Sequence, residues 1–413
     1  MVLYLDEKNV FEWLWIVNCF GCGNARIWEY MENFSDVSEA YEAIISHGKR
    51  KSLLTDAENK SAERVSEEQI GELISYCREH RIYILTCDDE IYPDKFRSIY
   101  NPPALLFCRG NVEYIRDEFC LSIVGTRKPS AYSVRVTESL TKELAKLGIT
   151  IASGFAAGID IAANLSAVKS GGKTIAVLGC GLDHDYPKEN IVYRDIIEKN
   201  GLFISEFFPK FTGNGRSFPL RNRILSALSL GTIVIEAGEK SGSLITANLA
   251  LSQGRTVFAA APHDLFDVRY GGNVELIRDG AICLCGVNDI LYEYYENYGH
   301  KLANTIRLNN ARLPEENPET AAERSGSEKP VKKTVSAKVK KESSPELRED
   351  KLLALEGDQA KVYDLLRKSR RPVLADELAA ELGMDISQML ELLTDMELDG
   401  VVKSSAGGYS AGK

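Results

Sequence analysis

A chain of 413 residues, 44% hydrophobic and 27% charged, has material for two to four domains and at least one large core. A formal net charge of −10 excludes a uniformly basic nucleic-acid binder, and the sequence has neither an apolar run long enough to span a membrane nor a signal peptide. Nine scattered cysteines are the usage of a reduced cytosolic protein; Cys19/Cys22 and Cys283/Cys285 are the only close pairs, and nothing else supports a four-cysteine zinc site.

Residues 1–80 read as a helical N-terminal domain. Phe11–Val17 is a short apolar helix, Gly21-Cys22-Gly23-Asn24 a turn, and Ala25–Met31 a second, amphipathic helix. The arrangement is SAM- or helix-hairpin-helix-like. With no basic neighbour beyond Arg26, a tight helical corner is the preferred reading over a phosphate contact. Residues 81–119 read as a connecting segment with strands at Ile82–Thr86 and Ala104–Cys108, punctuated by Tyr92-Pro93 and Pro102-Pro103.

Residues 120–298 alternate strand and helix. Strands are expected at Leu121–Val124, Ile149–Ala152, Thr174–Leu178, Leu202–Ser205, Thr232–Glu236, Thr256–Ala260 and Ala281–Cys285. Helices are expected at Ser133–Leu147, Ile191–Lys199, Leu244–Gln253 and Val274–Arg278. Apolar strands with helices between them predict an α/β, Rossmann-like, doubly wound parallel sheet that binds its ligand outside the carboxyl ends of the strands. Residues 121–290 hold 18 Lys and Arg against 16 Asp and Glu, so a basic groove is compatible with the acidic total.

Residues 299–355 read as a disordered linker, rich in Pro, Glu, Ser, Ala and Lys. Residues 356–413 read as a winged-helix-like module, with helices at Ala360–Arg367, Leu374–Leu382 and Ile386–Leu398 and a hairpin around Gly407-Gly408. Asp385, Glu391, Asp395, Glu397 and Asp399 on and beside its third helix would repel phosphate, so the module is expected to bind protein despite Arg370-Arg371.

Five strand ends carry glycine- and hydroxyl-rich turns suited to phosphate. They are Gly125-Thr126-Arg127; Ser153-Gly154 through Gly158-Ile159-Asp160; Gly179-Cys180-Gly181 through Tyr186-Pro187-Lys188; Phe218-Pro219-Leu220-Arg221-Asn222-Arg223; and Lys240-Ser241-Gly242-Ser243. The segment with Arg221 and Arg223 is read as lying just before a buried helix, because guanidinium groups so close to a core need an anion. Gly179-x-Gly181 has His184 where a dinucleotide fingerprint needs its third glycine, and no Walker A sequence is present. NAD and ATP lose their main support, and no cofactor is expected. His184 and His263 sit in no nucleophile motif, and Asp160 and Glu236 read as capping or positioning groups.

In this order the turns resemble the DNA-processing protein A family (DprA, also called Smf) over roughly residues 10–290, with Tyr92-Pro93 and Asn101-Pro102-Pro103 also fitting. The resemblance implies a single-stranded DNA-binding protein, not an enzyme, that dimerises through its core and helps load the RecA recombinase in natural transformation and recombination. It places the main basic contacts on Arg127 and Lys188. With them, Gly125, Thr126, Arg221, Asn222, Arg223, Lys240, Ser241, Gly242 and Ser243 form the expected DNA-binding set, Arg221 and Arg223 either contacting the strand or bracing the turns of the groove, with no catalytic or metal residues. The departures are Pro262-His263 in place of Pro-Gly and loss of the Pro-rich loop within Phe208–Ser217. The alternative reading is a Rossmann-like nucleotide enzyme, such as a nucleoside monophosphate phosphoribohydrolase using an Arg and a Glu. A third is an adaptor whose main ligand is protein.

Overall fold

Apolar runs bounded by glycine become strands buried on both sides when helices cover each face of a sheet. In the computed structural model nine runs form one sheet, and the strands at its centre are buried on both faces. It describes residues 7–46, 53–295, 298, 357–369, 373, 375–384, 389, 392, 393, 396, 401–405 and 408–411. The strands are β1 (Tyr83–Thr86), β2 (Leu105–Gly110), β3 (Cys120–Val124), β4 (Thr150–Ser153), β5 (Thr174–Leu178), β6 (Leu202–Ser205), β7 (Gly231–Val234), β8 (Thr256–Ala260) and β9 (Ile282–Leu284). They join one sheet in the order β1-β2-β6-β5-β4-β3-β7-β8-β9. All neighbours from β6 to β9 are parallel, as the sequence predicts.

Segment 81–119 differs from its expectation as a connection. Its two strands extend the sheet: β2 runs antiparallel to β6, and β1 antiparallel to β2. Tyr83 to Thr86 face Cys108 to Leu105, and Phe107 to Gly110 face Ser205 to Leu202.

The helices of this unit are α1 (Glu7–Phe20), α2 (Arg26–Met31), α3 (Val37–Ile45), α4 (Asp56–Ala62), α5 (Glu67–Glu79), α6 (Asp94–Arg97), α7 (Ala131–Lys146), α8 (Ile159–Lys169), α9 (Arg194–Asn200), α10 (Ser217–Leu228), α11 (Gly242–Ser252) and α12 (Gly271–Arg278). Their N-termini use local chemistry. Asp36 caps α3, and Thr55/Glu58 and Ser66/Gln69 form reciprocal capping boxes on α4 and α5.

The period-2 alternation of a strand sends neighbouring side chains to opposite layers. Leu121, Ile123 and Ile233 join Leu140, Leu144 and Ala163 of α7 and α8. Val124 and Val234 join Ile224, Leu228 and Ala247 of α10 and α11. The second layer runs on without a break into Trp13, Leu14 and Ile16 of α1, which cover β1 and β2. The Gly21–Asn24 turn is a tight corner pressed on the core: a Cβ on Gly23 would lie 2.6 Å from Leu220 and 2.9 Å from a Glu206 carboxylate oxygen. Asn101 donates to the Gly23 carbonyl at 2.7 Å, and Trp28 to the Pro102 carbonyl at 2.8 Å.

Residues near the C-terminus form a separate unit. Helices α13 (Asp358–Lys368) and α14 (Ala375–Leu382) precede a hairpin of β10 (Val402–Ser405) and β11 (Gly408–Ala411), around a core of Val362, Leu366, Leu378, Met389, Leu393 and Val402. The linker 299–355 lies outside the described residues, as does most of the expected third helix, 386–398. So do Arg370, Arg371 and the five acidic residues on which the protein-binding reading rests.

Candidate functional site

Strand order reverses between β3 and its neighbours β4 and β7, and such a switch point leaves a crevice outside the carboxyl ends of the strands. A cleft of about 520 Å³ opens there. Turns after five consecutive parallel strands line it. Gly125, Thr126 and Arg127 follow β3, Ala156 and Asp160 follow β4, and Tyr186 follows β5. Phe218, Arg221 and Asn222 come from α10, and Ser241, Gly242, Ser243 and Thr246 from the start of α11.

These turns are locked to one another by backbone bonds. The Thr126 amide donates to the Glu236 carbonyl at 2.8 Å, and the Ile159 amide donates to the Thr126 carbonyl at 3.2 Å. Gly158 lies at φ +86°, and a Cβ there would strike the Thr126 carbonyl oxygen and lie 2.8 Å from the Arg127 Cα. Only glycine permits both that backbone conformation and that approach. Phe155 also has positive φ, +55°, held by the bond from Asn190 to its carbonyl at 2.8 Å and by edge-on packing against Phe203. Ser241 caps α11, and its hydroxyl lies 2.7 Å from that of Ser243.

The expected cations divide into two groups. Arg127, Lys188 and Lys240 are exposed, and none makes a hydrogen bond or ion pair with a described residue through its charged end. Arg127 lines the cleft, Lys188 stands two residues from Tyr186, and Lys240 is adjacent to Ser241. Arg221 and Arg223, by contrast, are buried.

The arginine segment lies inside a helix, not before one: α10 begins at Ser217, so two residues place Arg221 and Arg223 on opposite faces. Arg221 reaches the floor of the cleft. It donates to the carbonyls of Gly154, at 2.8 Å, and Val177, and through Nε to the Asn222 side chain at 3.0 Å. Arg223 departs from its expected role as a phosphate contact. It does not line the cleft, and one guanidinium nitrogen sits 2.6 and 2.7 Å from the two oxygens of buried Glu206. The helical twist that aims Arg221 at the strand ends turns Arg223 toward the N-terminal corner.

Asp160 is the acidic residue among those lining the cleft. Burial pushes its carboxyl above the usual range, against the opposing pull of the Arg221 guanidinium. Gly154 lets these two groups come together: a Cβ there would lie 2.7 Å from an Arg221 terminal nitrogen and against the Asp160 carboxylate.

Glu236 is engaged elsewhere. It accepts from the Ser130 amide at 2.9 Å, the Ser130 hydroxyl at 2.8 Å and the Tyr270 hydroxyl at 3.4 Å, fixing the start of α7. Asp183 ties α5 to the core by accepting from Tyr76 at 2.9 Å and Arg109 at 2.6 Å. Asn273 is buried and bonds to Ala237, Val234, Ile235 and Ala260 at 2.8–3.2 Å, joining α12 to the ends of β7 and β8. These motif residues hold the strand ends in place.

Two cleft aromatics lie outside the set expected from sequence. Tyr186 and Phe218 have ring centroids 5.0 Å apart. Their signal in the sequence is an aromatic followed at once by proline, Tyr186-Pro187 in a turn and Phe218-Pro219 at the start of α10. Among the described residues no cluster of three or more metal-ligating side chains occurs, and no helix is long and apolar enough to cross a membrane.

Known proteins share these features. The family described as DNA recombination-mediator protein A matches residues 83–295, and the DprA winged helix domain matches residues 346–408. The DNA processing protein DprA of Bacillus subtilis is 41% identical over 228 residues, covering 55% of this chain and 76% of that protein. Its counterpart in Streptococcus pneumoniae is 40% identical over 206 residues, covering 50% and 72%. The X-ray structure of DNA processing protein A from Streptococcus pneumoniae aligns with a TM-score of 0.59 at 31% identity, over 68% of this chain and 97% of that one.

Proposed function

Because the chain belongs to the DNA recombination-mediator protein A family (DprA, also called Smf), we propose that its cleft binds single-stranded DNA. One observation carries the reading. Three exposed cations without a hydrogen-bond or ion-pair partner among the described residues, Arg127, Lys188 and Lys240, lie on or beside a cleft that holds two aromatic rings. Cations that track a backbone, with rings on which bases stack, are the means of binding a single strand with little sequence preference. Thr126, Ser241 and Ser243 add hydroxyls, and Gly125 and Gly242 let a strand approach the main chain.

The binding requires no cofactor and no bond-breaking step. A nucleotide-cleaving enzyme would need a free carboxylate beside the phosphate site, whereas Glu236 is committed to Ser130 and Tyr270, and Asp160, buried at the cleft, faces the Ala156 amide and the Arg221 guanidinium. Family membership supports the finer reading: a cytoplasmic protein that dimerises through its core, protects incoming DNA and helps load the RecA recombinase in natural transformation and homologous recombination.

The test sets fluorescence anisotropy with labelled oligo-dT against base release from nucleoside monophosphates. Salt-sensitive oligonucleotide binding without base release is expected. Base release without strand binding would overturn the proposal.

A further inference from the structure

Seven of the nine cysteines are buried or half-buried in the core, and burial pushes the thiols of Cys19, Cys22 and Cys77 up to about 12. Cys283 and Cys285 are different: both are exposed. Among the described residues, strand β9 pairs only with β8. Leu284 points into the core, alternation turns Cys283 outward within the strand, and Cys285, just past its end, is exposed as well. The backbone beneath them is fixed. Leu284 accepts from the Ala261 amide at 3.0 Å, and Asp289 accepts from the Cys285 and Gly286 amides at 2.7 and 2.9 Å. Partial desolvation, and then the neighbouring Cys285 thiol, raise the Cys283 thiol above its ordinary range, as adjacent sulfurs do.

The spacing decides what the pair can do. Cys283 lies within β9 and Cys285 one residue past its end, where the chain bends, and the two thiols are near enough to hydrogen-bond each other. A disulfide needs its Cβ atoms at roughly 3.5–4.5 Å, closer than the roughly 6.6 Å between same-face residues of an extended strand. A bridging ion needs less. At metal–sulfur distances of about 2.3 Å a linear bridge spans roughly 4.6 Å between sulfurs, within reach of two side-chain rotations. Two thiolates without imidazole or a carboxylate cluster suit a soft cation of low coordination number.

We propose that Cys283 and Cys285 form a two-thiolate site for a soft, two-coordinate monovalent cation such as Cu(I). On capture, two S–H bonds break, two metal–sulfur bonds form and two protons pass to solvent, with no change of oxidation state. The site lies on the edge strand and shares no residue with the DNA cleft.

The test titrates the reduced full-length chain, without oxygen, with Cu(I) held by a chromophoric chelator. The unaltered protein is expected to withdraw one equivalent per chain. Cys283→Ser and Cys285→Ser each lose that uptake, while Cys22→Ser keeps it. Alkylation mapped by mass spectrometry should show Cys283 and Cys285 protected by Cu(I), with thermal melts of the two surface variants unchanged. No withdrawal by the unaltered protein, or full uptake by Cys283→Ser, would overturn the proposal. So would a Cys283–Cys285 disulfide forming in place of ion uptake.

Discussion

Arg223 and Glu206 form an ion pair sealed from solvent, one guanidinium nitrogen lying 2.6 and 2.7 Å from the two carboxylate oxygens. The corner glycine, Gly23, rests on that carboxylate. Removing either partner leaves a buried, uncompensated charge, which costs about 3–5 kcal/mol. Arg223→Met is therefore expected to lower the urea midpoint sharply, and adding Glu206→Gln should recover much of the loss. Oligo-dT affinity of the folded protein should not change. A variant of normal stability with weakened DNA binding would return Arg223 to the interface.

Arg127 and Lys188 have the opposite character, exposed and without a hydrogen-bond or ion-pair partner among the described residues. Truncating both to alanine should leave the thermal melt in place and weaken oligo-dT binding. The log–log salt slope should flatten by roughly 0.7 for each phosphate no longer neutralised. Anisotropy titrations across a salt series measure both effects, and an unchanged slope would remove these residues from the site.

Asp160 makes the cleft sensitive to pH. Its carboxyl is raised by burial, so it takes up a proton above the ordinary aspartate value of about 3.9. A bound phosphate disfavours the carboxylate further, so the complex takes up protons and binding strengthens as pH falls. Asp160→Asn is expected to flatten that dependence. It should also tighten binding near neutrality by roughly fivefold or more, since charge repulsion of about 1 kcal/mol at about 4 Å in water grows at a buried site. Binding that weakens on acidification in the unaltered chain would contradict the assignment.

Gly158→Ala should damage the site without altering any charge. Its φ of +86° disfavours a side chain, and the added carbon would strike the turn that carries Thr126 and Arg127. A loss of more than about 1 kcal/mol of stability is expected, together with loss of strand binding. Chemical denaturation paired with anisotropy measures the two effects.

The parallel strands are legible in the sequence because β3 to β9 are short apolar runs ending at polar or glycine-rich turns. Places where one residue serves two elements are not. Nothing in Ile82–Thr86 or Ala104–Cys108 states that Ala104–Cys108 pairs antiparallel with β6, since register across a long sequence gap leaves no periodic mark. The arginine segment departs from expectation for a narrower reason. The sequence reading starts the helix after Arg223, whereas Pro219 sits in its first turn, a position suited to proline. With the start at Ser217, the separation of Arg221 and Arg223 onto opposite faces follows from helical geometry. Tyr186 and Phe218 escape a reading aimed at phosphate, because phosphate selects cations and small residues over rings.

The antiparallel pair β1 and β2 also governs where the polypeptide can be divided. A fragment starting at residue 120 would retain every cleft turn, yet it would strip β2 from β6 and bare a row of main-chain amides and carbonyls. A naked strand of this kind, Leu202-Phe203-Ile204-Ser205, is a template for intermolecular pairing. Expression of the DNA-binding region by itself is thus better begun ahead of β1, with the helices that shield it, than at the start of the parallel strands.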